Sequence, residues 1–186
     1  RRHPLGPWVK QTVGIGEKQG ARLLAAIGDP ASRRTVSQLW AYCGYHVLPA
    51  GQSTAEPHVR RASGDTSSDP AQKFIDTHTG YGGVAPTRSR GQKSNWNETA
   101  RKRAFLVAES CTKQRHSPYR AAYDDGRAKY AESVHNTSCK RCGPSGKPAL
   151  AGSPLSDGHK HARALRLVAK AVLRDLWIEA KRLEAE

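Results

Sequence analysis

Residues 12–24 read Thr12-Val13-Gly14-Ile15-Gly16-Glu17-Lys18-Gln19-Gly20-Ala21-Arg22-Leu23-Leu24. Two glycines bracket an apolar residue, and small and aliphatic residues follow at helical spacing. Glycine allows the backbone to turn with a positive φ and lets another backbone approach closely. The pattern therefore predicts a hairpin between two helices, with Ile15 inserted into the core between them.

Such a hairpin can also bind an anion. Backbone N–H groups that lead into a helix N-terminus form a concave site that suits a phosphate. Lysine or arginine in the first turns of the helix would add positive charge beside it. The residues predicted to bind nucleic acid here are Val13, Gly14, Ile15, Gly16, Lys18 and Arg22. The alternative is an ordinary helix connection that uses glycine for its geometry alone.

The rest of the chain shows helical periodicity and no strand pattern, which predicts an all-α fold with a helix-hairpin-helix, additional helices and a long irregular loop. Residues 1–48 form the hairpin region, residues 49–83 a polar flexible loop or linker, and residues 84–186 a basic helical region. Asn95 and Glu98 predict a capping box for a helix that runs to Cys111. A second helix is expected from Tyr119 to about Ser133. Ser156 or Asp157 should cap the long final helix, whose apolar stripe comprises Leu165, Val168, Val172, Leu176 and Leu183.

The charge of the chain favours a polyanionic partner. Among 186 residues, 31 are Lys or Arg and 16 are Asp or Glu, which gives a net charge of +15 and a pI near 10.1. A basic excess of this size is typical of nucleic-acid-binding domains. No segment approaches the roughly 20 apolar residues of a membrane span. Four cysteines are too few for a disulfide scaffold, so a reducing cytoplasmic compartment is expected.

Basic residues are densest just before and within the helix that ends at Cys111, and they surround Trp96. We predict that the basic residues contact DNA or RNA and that Trp96 lies mostly in the core; the alternative is a solvated helix face. The cluster comprises Arg88, Arg90, Lys93, Arg101, Lys102 and Arg103.

Beyond the hairpin, several segments resemble the carboxy-terminal domain of the IS-one-ten-type insertion-sequence transposases. They are Gly14-Ile15-Gly16, residues 24–30, residues 37–44, Leu48-Pro49, residues 83–86, and Arg88 with Arg90-Gly91. The resemblance implies a domain that binds DNA during transposition and works as a homo-oligomer on DNA. It also implies a RuvC-like nuclease domain upstream and raises a guide RNA as a further partner. The sequence starts without methionine, and we expect a longer chain.

The resembled family uses a serine soon after the Leu-Pro step, usually followed by glycine, as its recombinase nucleophile. Ser53 lies at about that position, but Thr54 follows it; Ser63-Gly64 keeps the pair and lies farther along. Serine is a weak nucleophile without an activating partner, and the sequence identifies none. If the protein is catalytic, Ser53 is the predicted nucleophile; the equal alternative is a polar linker serine.

Cys139-Lys140-Arg141-Cys142-Gly143 has the spacing of half a zinc site. A structural zinc needs four ligands, and three histidines lie near in sequence: His135, His159 and His161. The predicted ligand set is Cys139, Cys142, His159 and His161, with zinc as a structural cofactor. The alternative is a surface loop with two unliganded thiols.

Three functions follow from these patterns. The first is the DNA-binding domain of a transposase-type recombinase, which contacts the backbone without reading its sequence. The second is a non-catalytic nucleic-acid-binding protein with the same hairpin. The third, carried by the cysteine pair alone, is a zinc-stabilised interaction module.

Overall fold

The computed structural model describes residues 3–47, 85–86, 94–144 and 147–186. Within these ranges there are helices and two isolated β-bridges but no strand, so the predicted all-α fold class is confirmed. The helices are α1 (Gly6–Gln11), α2 (Glu17–Ile27), α3 (Val36–Tyr42), α4 (Glu98–Lys113), α5 (Arg120–Lys129) and α6 (Asp157–Ala185).

Helix α6 is the central element of the fold and packs against α3, α4 and α5. Its 29 residues span roughly 44 Å. Four of the five residues in the predicted apolar stripe are buried, whereas Leu183 is only partly buried. Most buried apolar residues in the described part of the chain belong to one cluster, whereas Trp96 and Leu155 are buried outside it. No helix in the described ranges is both long and apolar enough to cross a lipid bilayer.

Helix α4 packs between α2 and α6 and presents small buried side chains to both. The predicted cap at Asn95 is wrong, because the helix begins at Glu98 and its N-cap is Asn97. The Asn97 side-chain oxygen accepts a hydrogen bond from the Ala100 backbone N–H at 2.9 Å. Glu98 is therefore the first residue of the helix and not the third, which a capping box requires.

Helix α5 ends at Lys129, four residues before the predicted end at about Ser133. Gly126 lies where α5 crosses α6: a Cβ there would come within 3.0 Å of the Ala164 Cα. Beyond Tyr130 the chain turns, and the Ser133 carbonyl accepts a hydrogen bond from the Leu155 N–H at 3.0 Å. That bond joins the chain that follows α5 to the segment that precedes α6.

Lys170 is an ionisable side chain that lies buried in the core. Its Nζ lies 4.3 Å from the centroid of the Trp40 ring, and the Trp40 indole N–H donates to the Lys170 carbonyl at 3.0 Å. Burial lowers the pKa of Lys170 to about 6. The neutral amine is thus the form that this position favours near pH 7.

Candidate nucleic-acid interface and metal centre

The hairpin between α1 and α2 comprises residues 12–16. The Ile15 N–H donates to the Thr12 carbonyl at 3.0 Å and closes the turn, while the Thr12 N–H and hydroxyl donate to the Trp8 carbonyl. Ile15 is 4% exposed and belongs to the core. The predicted insertion of Ile15 between the helices is confirmed, and its side chain is not available to a ligand.

The two hairpin glycines have different roles. Gly14 has a φ of +97°, and a Cβ on it would lie 2.8 Å from the Cα of Cys111 on α4. Gly16 has an ordinary extended backbone with φ −66°, and a Cβ there would meet nothing within 4 Å. The fold therefore requires glycine at position 14, whereas position 16 opens onto free space in front of α2.

The amino terminus of α2 is exposed and has no side-chain cap. Lys18 and Arg22 are exposed on the first turns, as is Val13 at the tip of the hairpin. Glu17 in the same turn pairs with Lys10 at 3.4 Å, an ion pair on the surface. Uncapped N–H groups beside lysine and arginine can hold an anion.

Of the predicted basic cluster, the described residues are those on α4. Lys102 is exposed and Arg103 is half-buried. Arg101 is half-buried, with its guanidinium 5.2 Å from the centroid of the Trp96 ring. Trp96 is buried, as predicted. The remaining predicted sites, Arg88, Arg90, Lys93, Ser53 and Ser63, lie outside the described residues, as does the loop of residues 49–83.

A second candidate site lies between α5 and α6. One donor atom from each of His135, Cys139, Cys142 and His159 lies within 4.8 Å of the other three. The Cys142 Sγ is 3.4 Å from the His159 Nδ1, and the His135 and His159 ring centroids are 5.3 Å apart. Donor atoms around a tetrahedral zinc with two thiolates and two imidazoles lie roughly 3.3–3.8 Å apart, which is close to this arrangement.

Backbone hydrogen bonds bring these four residues together. Cys139 and Ala149 exchange two bonds, at 2.9 and 2.8 Å, which fold the cysteine pair back onto the chain. The His135 N–H donates to the Ser153 carbonyl at 2.8 Å and places His135 beside the start of α6. Ser156, one of the two predicted N-caps, caps α6, and its hydroxyl accepts a hydrogen bond from the His159 N–H.

The pKa shifts of the donor groups favour the protonation states that bind a metal cation. The hydrogen bond between Ser156 and Cys142, with Oγ and Sγ 3.0 Å apart, lowers the pKa of the Cys142 thiol. Burial, and then the charge of Arg163, lowers the pKa of His159 and favours its neutral form. The His135 Nε2 is buried and has no hydrogen-bond partner among the described residues. Thiolate and neutral imidazole are the forms that ligate zinc.

The structure brings His135 to the cysteines and places the predicted ligand His161 elsewhere. The His161 Nδ1 lies 2.6 Å from the Tyr123 hydroxyl on α5, outside the cluster. Residues two apart on a helix point in nearly opposite directions, so His159 and His161 cannot both face the cysteines. That rule was available from the sequence, since both histidines were expected in the first turn of the final helix.

Comparison with known protein families, with curated proteins and with solved structures finds no match for this chain.

Proposed function

We propose that this chain is the DNA-binding domain of a transposase-type recombinase and that it contacts the phosphate backbone through the hairpin of residues 12–16. The observation that carries the proposal is Gly16. It is an exposed glycine that the fold does not require, and it stands directly before an uncapped helix N-terminus. A residue without a side chain lets a phosphate approach the first N–H groups of α2.

Charge supports a backbone ligand rather than a base. Lys18 and Arg22 extend from the first turns of α2, where each can neutralise a phosphate. Contacts of this kind position a protein on DNA but do not read its sequence. We therefore propose sequence-tolerant binding that weakens steeply with salt, in a chain whose net charge is +15.

The transposase assignment rests on the segments that resemble the IS-one-ten type. In that proposal, strand chemistry uses Ser53 together with a RuvC-like nuclease domain, the protein acts as a homo-oligomer on DNA, and a guide RNA is a further candidate partner. A covalent protein–DNA adduct in the full-length protein that disappears in Ser53→Ala would support this chemistry. Adducts lost only in Ser63→Ala would move the nucleophile to that residue. If no adduct forms at all, the result would favour a non-catalytic nucleic-acid-binding protein over a recombinase.

The binding test uses Gly16→Asp. Aspartate is a favoured N-cap, so this substitution should leave the free energy of unfolding unchanged or raise it. Its carboxylate would occupy the position proposed for the phosphate and would repel the DNA backbone. We expect a large loss of affinity for duplex DNA, measured by fluorescence anisotropy. Gly6→Asp is the matched control, because position 6 is also open and starts a helix, and it adds the same charge away from the hairpin. Equal losses in the two variants would leave only a bulk charge effect.

Lys18 provides a second measurement on the same surface. Removing one phosphate contact in Lys18→Gln should reduce the slope of log affinity against log salt by about 0.9. Wild-type protein whose affinity does not depend on salt would contradict the backbone-binding proposal as a whole.

We also propose that His135, Cys139, Cys142 and His159 bind one structural zinc ion. Four protein ligands close the tetrahedron and leave no position for substrate, which distinguishes a structural site from a catalytic one. Protein purified without chelator should contain about one zinc per chain, and His135→Ala or Cys139→Ser should lose it. His161→Ala removes a neighbouring histidine and should retain the metal. Metal-free wild-type protein, or equal loss in both histidine variants, would contradict the ligand set.

A further inference from the structure

The four cysteines of the chain fall into two classes by their surroundings. Cys43 and Cys111 are 0% exposed and belong to the apolar core. Cys139 and Cys142 are partly exposed and lie in the segment that joins α5 to α6. Solvent and small solutes therefore reach the second pair but not the first.

The two exposed thiols are close enough to react with each other. Their Sγ atoms belong to the four donor atoms that all lie within 4.8 Å of one another. A disulfide has an S–S distance of about 2.05 Å, so a modest rotation of the two side chains closes the bond. The other groups close to the Cys142 Sγ are the Ser156 Oγ at 3.0 Å and the His159 Nδ1 at 3.4 Å. Neither of these polar contacts separates the two sulfur atoms.

The buried pair has the opposite chemistry. Burial raises the pKa of Cys43 to about 12 and that of Cys111 to about 11, so both remain thiols at neutral pH. The thiolate is the form that oxidants modify. The buried pair thus provides an unreactive internal reference in the same molecule.

We propose that Cys139 and Cys142 are a site of oxidative modification, at which hydrogen peroxide converts the two thiolates into an intramolecular disulfide. The modification regulates the proposed zinc site, because a disulfide no longer supplies two thiolate ligands and the metal ion is released. Only the release of zinc rests on the proposed function. The disulfide itself rests on the proximity and exposure of the two sulfur atoms. Exposed disulfides are the ones that thiol reductants readily reverse.

The reaction balances with hydrogen peroxide as the one oxidant. One thiolate attacks a peroxide oxygen, the O–O bond breaks, the sulfur becomes a sulfenic acid, and hydroxide leaves. The second thiolate then attacks that sulfur, so that the S–S bond forms, the S–O bond breaks and another hydroxide leaves. Protons from solvent convert both hydroxides to water. The sulfur atoms together lose the pair of electrons that the peroxide gains.

The test treats the zinc-loaded protein with stoichiometric hydrogen peroxide and compares it with untreated protein. A chromogenic chelator measures released zinc, and alkylation of the denatured protein before peptide mass spectrometry gives the state of each cysteine. We expect a disulfide that joins Cys139 to Cys142, release of the zinc, and unmodified thiols at Cys43 and Cys111. A dithiol reductant with added zinc should restore the thiols and the metal. Equal oxidation of all four cysteines would overturn the proposal.

Single substitutions show whether the two sulfur atoms act together. In Cys139→Ser and in Cys142→Ser the remaining exposed cysteine has no partner, so oxidation should stop at the sulfenic acid, which dimedone captures. Metal-free wild-type protein is the comparison, because either variant also loses a zinc ligand. It should form little dimedone adduct, since the second sulfur consumes the sulfenic acid. Equal dimedone labelling in the three proteins would overturn the intramolecular disulfide.

The same measurements separate failure of this proposal from failure of the zinc proposal. If the protein contains no zinc as purified but still forms the disulfide between Cys139 and Cys142, the zinc ligand set is wrong and the oxidation site is supported. If the zinc-loaded protein keeps its metal and both exposed thiols in peroxide, the ligand set stands and the oxidation site is overturned.

Discussion

The hairpin of residues 12–16 and the segment of residues 134–156 are both compact turns, but different interactions hold them. In the hairpin, Ile15 is buried and Gly14 lies against Cys111, so apolar packing and close backbone contact fix the turn. In the described residues between 134 and 156, only His135 and Leu155 are buried. Val134 is 44% exposed and Leu150 is 73% exposed, so the apolar side chains of this segment are mostly at the surface.

The difference shows what each region needs in order to fold. The hairpin shares the main core of the protein, so its shape follows from burial of apolar surface. The segment of residues 134–156 has two isolated bridges and almost no core of its own, and its inward-facing groups are the donor atoms of the cluster. A segment with so little buried apolar area is normally stabilised by metal or disulfide bonds.

Of the predicted changes, removal of the metal should have the largest effect on folding. Structural zinc in small folds is worth roughly 10–16 kcal/mol of apparent binding free energy, most of which is folding free energy. Chelation should therefore expose the amides of His135, Cys139 and Ala149 to hydrogen exchange, while the Ile15 amide keeps its protection. Protection at all four positions after chelation would show that the segment folds without metal. Loss at all four would show that the two regions form one cooperative unit.

Gly14→Ala should have the next largest effect, this time in the hairpin. The new Cβ would lie 2.8 Å from the Cα of Cys111, at a φ of +97° that alanine disfavours. Strain and overpacking together should lower the free energy of unfolding by about 2–4 kcal/mol, measured by urea denaturation. Gly16→Ala is the control and should cost less than about 1 kcal/mol, because its Cβ meets nothing within 4 Å. Similar losses in the two variants would contradict the distinction between the glycines.

The sequence predicts those features that depend on local patterns. The hairpin, the burial of Ile15, the final helix with its apolar stripe and its cap at Ser156 all follow from spacing and capping preferences within a few residues. It does not distinguish Gly14 from Gly16, because the difference is a contact with Cys111, which is almost a hundred residues away in the chain.

Two further features of the structure also depend on contacts between residues that are distant in the sequence. His135 replaces His161 because helix geometry turns His161 toward Tyr123, while backbone bonds with Gly152 and Ser153 bring His135 to the cysteines. Tyr45 joins α4 and α6, because its hydroxyl donates to the Arg101 carbonyl and the Arg166 guanidinium lies over its ring, and no spacing in the sequence links Arg101 with Arg166. Sequence patterns thus identify the kinds of group that act here, whereas packing decides which of them meet.

The smallest expected effect distinguishes the N-cap of α4 from the N-cap of α6. Asn97 caps α4 and accepts from the Ala100 N–H at 2.9 Å, and Ser156 caps α6 and also lies 3.0 Å from the Cys142 Sγ. Loss of either cap, in Asn97→Ala or Ser156→Ala, should lower the free energy of unfolding by about 1 kcal/mol. Ser156→Ala alone should also weaken zinc binding, by roughly 10-fold, because it removes a hydrogen bond to a ligand.

The loss of zinc affinity in Ser156→Ala should depend on pH. The Ser156 hydrogen bond lowers the pKa of the Cys142 thiol, so Ser156→Ala should raise that pKa and reduce the thiolate fraction at neutral pH. The loss of zinc affinity should then grow as the pH falls and shrink as the pH rises, because zinc binds the thiolate. Titration against a competing chelator at several pH values measures it, with Asn97→Ala as the control. Equal zinc affinities in the two variants at every pH would show that Ser156 serves α6 as a cap and has no part in the metal centre.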